Sequence, residues 1–141
     1  MIASTRNAET LQVGSTLPVM TQSFTIADLV AYGAATWDWH RMHYDQEFAR
    51  ARKFPNVMVD GQCYGAVMAK HALAWAGPRA FVRRLKFRML AMTFAGDSLQ
   101  AEAEVAEVRD EPAHAVVVLA SRLKNGAKLT AEGTIELRMP K

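Results

Sequence analysis

DGQCYGAVMAKHALAWAGP, residues 60–78, reads as one complete helix with its own start and stop. Asp60 can cap the first turn with a side-chain oxygen, Gly77 falls just past the last turn, and Pro78 cannot continue it. Gly61, Gly65, Ala69, Ala72 and Ala76 recur at helical spacing, a smooth stripe that another backbone or a ligand can approach closely. After Pro78 the period changes to two. Phe81, Leu85, Phe87 and Met89 alternate with Arg84, Lys86 and Arg88, and Leu99, Ala101, Ala103 and Val105 alternate with Gln100, Glu102 and Glu104. AVVVLASRL (115–123) reads as a buried central strand, and Asn125-Gly126 as a hairpin turn into KLTAEGTIELRM (128–139).

Upstream, a short strand is expected near Leu17 to Met20. TIADLVAYGAATW (25–37) has helix character, with Thr25 as N-cap, Asp28 in the first turn, and Ile26, Leu29, Val30 and Ala34 on one face. The expected order is a short strand, two helical segments, then four long antiparallel strands. This is an α+β domain of two layers, a long central helix packed on one curved antiparallel sheet. With 141 residues, half of them hydrophobic, the chain suits one domain, with a polar arm over 1–13 and the folded body over 14–141. Such a sheet leaves an edge and much of one face to cover, so a dimer or larger oligomer is expected.

Composition narrows the function. Cys63 is the single cysteine, and no basic leader followed by an apolar run opens the chain, so a cytoplasmic setting is expected. No apolar run approaches the roughly 20 residues of a membrane helix. The net charge of +3 suits an anionic small ligand as readily as a nucleic acid. RAFVRRLKFR (79–88) gathers five cations, but they alternate along a strand without a stacking-aromatic pattern, which disfavours nucleic-acid binding.

The chemistry concentrates in ATWDWHRMHYD, residues 35–45, where Asp38 and His43 stand five positions apart. This stretch resembles the signature of the MaoC-like (R)-specific enoyl-CoA hydratases and dehydratases, a hot-dog-fold family whose motif is written G-D-x-N-P-x-H. FPNVMVDG (54–61) resembles the family's lead into its central helix, with Gly61 on the motif's glycine and Asp60 where a histidine is usual. WAGPRAFVRRLKFRML and FAGDSL are similar to the strand after that helix and the turn that follows. Trp37, His40 and Arg41 depart from the motif's glycine, asparagine and proline. The resemblance runs from about Gly14 to the end of the chain. It implies a single hot-dog domain, homodimeric or larger or paired with a second hot-dog subunit. It also implies an acyl-CoA substrate, with coenzyme A only as part of that substrate and no other cofactor.

The reaction implied is reversible hydration of a trans-2-enoyl-CoA to the (R)-3-hydroxyacyl-CoA. It requires a base to activate water at C3, an acid to protonate C2, and stabilisation of the enolate oxygen at C1. Asp38 and His43 can hold the water between them. The Gly61 N–H, at a helix start, can polarise the thioester carbonyl, a role that the resemblance also implies. Arg84, Lys86 and Arg88 are expected to meet the phosphates of coenzyme A, against the alternative of an ordinary solvated strand face, and Arg41, in the loop itself, to meet phosphate or a structural carboxylate. Trp39, Tyr44 and Met58 are expected to contact the acyl part, among methionines that suit an adaptable pocket. His40 is expected to support the loop, Asp45 to cap the following turn, His71 to sit satisfied in the core, and His114 to lie in a turn. His40, His43 and Asp45 can be drawn as metal ligands, but hydration requires none and no metal is expected. An acyl-CoA thioesterase, and a catalytically silent hot-dog subunit of a hetero-oligomeric hydratase, are the alternatives.

Overall fold

The computed structural model describes residues 6–141. Its elements are β1 (Met20–Ser23), α1 (Ile26–Thr36), α2 (Gln46–Ala51), α3 (Gly61–Ala76), β2 (Phe81–Met89), β3 (Ser98–Asp110), β4 (Ala115–Asn125) and β5 (Lys128–Met139), with short 3-10 turns at Ala8–Thr10 and Arg41–His43. The strands form one antiparallel sheet in the order β1-β3-β4-β5-β2. β4 is central and its apolar run is buried, as its sequence requires. α3 lies on this sheet, burying Tyr64, Val67, Met68, His71 and Ala72. This is the two-layer hot-dog arrangement expected.

α3 begins and ends where its sequence says. Asp60 Oδ1 accepts from the Gln62 N–H at 2.8 Å. Gly77, at φ 95°, takes a left-handed conformation open to glycine, and its N–H reaches the Leu73 carbonyl at 2.9 Å. The small-residue stripe serves helix-on-sheet packing: a Cβ at Gly65 would lie 2.6 Å from the Phe87 ring. Thr25 and Asp28 form a reciprocal capping box at the start of α1.

Three local expectations are corrected. The first strand lies at Met20–Ser23 rather than Leu17 to Met20, because Pro18 has no N–H to pair. The Leu17 N–H bonds the Ala103 carbonyl before the proline, and regular pairing resumes at Met20 opposite Ala101. α1 buries Leu29 and Gly33, with Ile26 and Tyr32 half-buried, and leaves Val30 and Ala34 in solvent. A bulge between Val82 and Arg84 shifts the phase of β2, so Val82, Leu85 and Phe87 pack inward while Phe81 is 59 % exposed beneath the Arg138 guanidinium. The described part of the arm is packed against the body: Ala8 is buried and its N–H bonds the Pro140 carbonyl, while the Arg6 N–H bonds that of Ala76. No helix among the described residues is long and apolar enough to cross a membrane.

Candidate active site

The loop after α1 is shaped by its own backbone bonds. Trp37 ends the helix in the left-handed region at φ 61°, and the Asp38 N–H turns back to the Gly33 carbonyl at 3.0 Å. The close approach needs a glycine, since a Cβ at Gly33 would lie 2.7 Å from the Asp38 carbonyl oxygen. Asp38 Oδ1 accepts from the His40 N–H at 3.1 Å, and His40 Nδ1 accepts from the Met42 N–H at 3.2 Å. Each of these bonds fixes the loop without consuming the second Asp38 oxygen. His40 therefore caps the turn Arg41–His43, the supporting role expected of it.

His43 is 7 % exposed, and its Nδ1 stands 2.8 Å from the Met58 carbonyl. A carbonyl only accepts, so Nδ1 carries the proton and Nε2 of the neutral ring is a lone pair available to a ligand. The Met58 N–H in turn bonds the Met42 carbonyl at 2.8 Å, tying the motif loop to the segment that enters α3. That segment is stitched to a second one: the Val59 N–H bonds the Thr93 carbonyl, and the Ala95 N–H bonds that of Val57.

Asp38, His43 and Asp60 converge, with one oxygen or nitrogen of each within 4.8 Å of the others. Asp60 is 6 % exposed, and its Oδ2 is enclosed without a hydrogen-bond partner among the described residues. Beside them, a pocket of about 460 Å³ is lined by His43, Met58, Gly61, Tyr64, Met89 and Met92, among others. Gly61 is the first residue of α3, so its N–H has no intrahelical carbonyl to reach, and the positive end of the helix dipole stands behind it. The Tyr64 hydroxyl donates to the Ala91 carbonyl at 3.0 Å and lies 2.8 Å from Thr93 Oγ1, fixing the pocket's far wall. Burial pushes the Tyr64 phenol above its usual range. The three converging groups are close enough for a divalent cation as well as for acid–base chemistry.

The substrate-binding expectations divide. Met58 lines the pocket. Tyr44 is half-buried edge-on against Trp39, whose ring is itself 45 % exposed and edge-on to the 81 % exposed Trp37. These three rings form an aromatic ledge on the motif loop. Arg41 is spoken for by the loop: its guanidinium bonds Asp45 at 2.7 Å and lies over the Phe48 ring. Asp45 also caps α2 through the Phe48 N–H, as expected. Arg84, Lys86 and Arg88 are exposed on strand positions alternating with Leu85 and Phe87, which pack against the core. Lys86 and Arg88 line a separate concavity of about 570 Å³ with Glu104, Arg122, Glu132 and Thr134, and Arg88 pairs with Glu132. Within this chain, these three cations do not line the His43 pocket.

Sequence reading took Asp60 as a helix cap at the position where the motif usually has a histidine. The residue is a cap, and the fold also brings it together with Asp38 and His43. Cys63 is the other titratable group here. Burial, and then the charge of Asp60, push its thiol up to about 12. Below that range it stays a thiol, so the folded protein should resist alkylation at neutral pH and react once unfolded; mass spectrometry after iodoacetamide, with and without denaturant, checks this.

A family model described as MaoC like domain matches residues 9–125. The chain is 28 % identical over 127 residues to the 3-oxo-4,17-pregnadiene-20-carboxyl-CoA hydratase beta subunit of Mycobacterium tuberculosis, covering 90 % of this chain and 95 % of that protein. It is 25 % identical over 138 residues to the (R)-specific enoyl-CoA hydratase of Aeromonas caviae, covering 95 % and 99 %. The unliganded R-hydratase of Pseudomonas aeruginosa superposes with a TM-score of 0.85 at 26 % identity, over 95 % of this chain and 85 % of that one.

Proposed function

The chain belongs to the MaoC-like domain family, and from that premise we propose that it hydrates a trans-2-enoyl-CoA to the (R)-3-hydroxyacyl-CoA and catalyses the reverse dehydration. One observation carries the reading: His43, its tautomer set by the Met58 carbonyl, converges with Asp38 beside a pocket that begins at the first N–H of α3. Water held between Asp38 and His43 Nε2 gives a proton to the Asp38 carboxylate as its oxygen attacks C3, and the Asp38–His43 pair returns that proton to C2 as the C2=C3 π pair passes through the enolate. The Gly61 N–H donates a hydrogen bond to the thioester oxygen, which gains charge as the enolate forms. The acyl chain runs among Met58, Met89 and Met92, flexible side chains that adapt to its shape. Trp39 and Tyr44 extend that apolar surface on the loop side.

The phosphates of coenzyme A then lie outside the pocket, where Arg84, Lys86 and Arg88 serve only if an assembled partner brings their strand to the entrance. An assembly suits the surface of β2. Phe81, Met89, Leu90 and Met92 are large apolar groups left exposed along this edge strand and the segment that follows it. A homodimer covers them most simply.

A second reading keeps the fold and drops the turnover. One of the relatives is named as a beta subunit, and a chain of this family can serve as the silent or partner-dependent member of a hetero-oligomeric hydratase. The thioesterase alternative differs in product, since it releases thiol. Following enoyl-thioester absorbance and free thiol together separates all three. Hydration consumes absorbance without thiol, hydrolysis yields thiol, and a silent subunit yields neither until a second hot-dog chain is added.

Gly61→Ala isolates the carbonyl-polarising role. The Gly61 backbone is not in the left-handed region, so alanine keeps the helix, but its methyl meets Met89 Sδ and stands where the thioester oxygen has to approach. The expected result is a fall in kcat/KM of about 100-fold with the circular-dichroism spectrum unchanged.

A further inference from the structure

Hydration requires the thioester oxygen to come against Gly61, and in the free chain that place is already filled. A Cβ built on Gly61 would run into Met89 Sδ, with the Met89 Cε 3.0 Å and Cγ 3.9 Å away. The N–H and the Cβ direction of a helix's first residue both tilt toward the helix start. The thioether therefore rests on the side of Gly61 from which an oxygen has to reach its N–H.

Met89 differs in this from the other methionines of the pocket. Met58 and Met92 line it too, but the side-chain atoms that crowd Gly61 are those of Met89. The Met89 backbone is fixed. It ends β2 opposite Ala131, and the N–H groups of Leu90 and Ala91 both bond the Thr130 carbonyl, at 2.8 and 3.2 Å. The side chain is the part that can move, being 60 % exposed within this chain, unbranched and flexible. It can leave Gly61 without disturbing the core.

We propose that Met89 is a specificity-determining residue: its side chain fills the carbonyl seat at Gly61 in the free protein and yields it only to a ligand carrying an acceptor oxygen. Binding of an acyl thioester is thereby coupled to withdrawal of the Met89 side chain. The proposal deepens the hydratase reading and rests on it for the role of the Gly61 N–H. In the exchange, the thioether loses its packing on Gly61, and the thioester oxygen gains the hydrogen bond of an N–H that no helix carbonyl serves. A carbonyl-free thioether of coenzyme A brings no such oxygen and leaves Met89 seated. Withdrawal precedes the chemical step and persists through it, so its cost appears in KM and not in kcat.

Titration calorimetry of the full chain with butyryl-CoA, and with its carbonyl-free analogue S-butyl-CoA, tests the coupling. Both ligands are saturated and neither can be hydrated, so binding is read apart from turnover. Met89→Ala should bind butyryl-CoA about fivefold more tightly than wild type, the size expected when one small apolar contact need not be broken, and S-butyl-CoA within about twofold of wild type. Met92→Ala, which trims the same pocket, should weaken both ligands. A methionine that is only a wall predicts that same weakening for Met89→Ala. With crotonyl-CoA as substrate, Met89→Ala should lower KM about fivefold and hold kcat within about twofold. Butyryl-CoA bound no more tightly by Met89→Ala, both ligands tightened alike, or butyryl-CoA bound by neither protein overturns the proposal. A chain that shows the expected binding pattern yet turns over no enoyl-CoA supports the role of Met89 and refutes hydration. A chain that hydrates while Met89→Ala binds no tighter does the reverse.

Discussion

Asp38→Asn and His43→Ala are each expected to lower kcat/KM for enoyl-CoA hydration by about 1,000-fold or more, toward the upper end of what a positioned acid–base group contributes. The two substitutions fail for different reasons. Asparagine at 38 keeps the bond from the His40 N–H through its amide oxygen, so the loop holds its shape, but the side chain cannot accept the proton of the attacking water. Alanine at 43 removes both the water's Nε2 partner and the Nδ1–H that reaches Met58. It leaves that carbonyl unpaired, so a modest fall in stability of about 1–2 kcal/mol accompanies the loss of rate. The double variant should be scarcely worse than either single one, because both act on the same water. Steady-state kinetics beside thermal melts separate the effects. An Asp38→Asn protein that is folded and retains wild-type turnover would remove Asp38 from the mechanism.

The largest expected effect on stability comes from Gly133→Ala. Gly133 lies opposite Phe87 in the β2–β5 pairing, and a Cβ there would stand 2.6 Å from the Phe87 Cα. On its other side, the Phe87 ring presses on Gly65 of α3. Phe87 is therefore held between two positions that admit no side chain, one on the neighbouring strand and one on the helix. Backbone, unlike a flexible side chain, cannot swing aside, so β2 has to move away from β5. Overpacking of this kind costs about 2–3 kcal/mol, a drop in Tm of about 10 °C for a chain of this size. Because β2 ends at Met89, which lines the pocket, part of the activity should fall with it. Differential scanning calorimetry, with wild-type-like melting as the contrary result, decides the point.

Much of this architecture was legible because its signals are local. Asp60, Gly77 and Pro78 bound α3 by hydrogen-bonding chemistry that needs no tertiary context, and the alternation in β3 follows directly from one buried face. The misreadings have equally local causes that act through the partner strand. Pro18 interrupts pairing that its neighbours would otherwise continue, and the bulge after Val82 turns Phe81 outward although its apolar character suggests the reverse. The α1 face depended on what it packs against: Gly33, not Ala34, faces inward because the Asp38 carbonyl returns over it. In the site, the spacing of Asp38 and His43 pointed to one loop, and the fold brings them together. Asp60 escaped notice because a capping aspartate is sufficient reason for its own presence. The cations of β2 lie, as their alternation requires, on the opposite side of the strand from Leu85 and Phe87.

The most direct measurement of the central claim is the identity and configuration of the product formed by the purified chain from a panel of short, long and bulky trans-2-enoyl-CoAs. Chiral chromatography of the acyl product, with free thiol assayed in the same samples, reads both at once. The account predicts an (R)-3-hydroxyacyl-CoA with its thioester intact. Free coenzyme A, an (S) product, or no turnover on any member of the panel would contradict it.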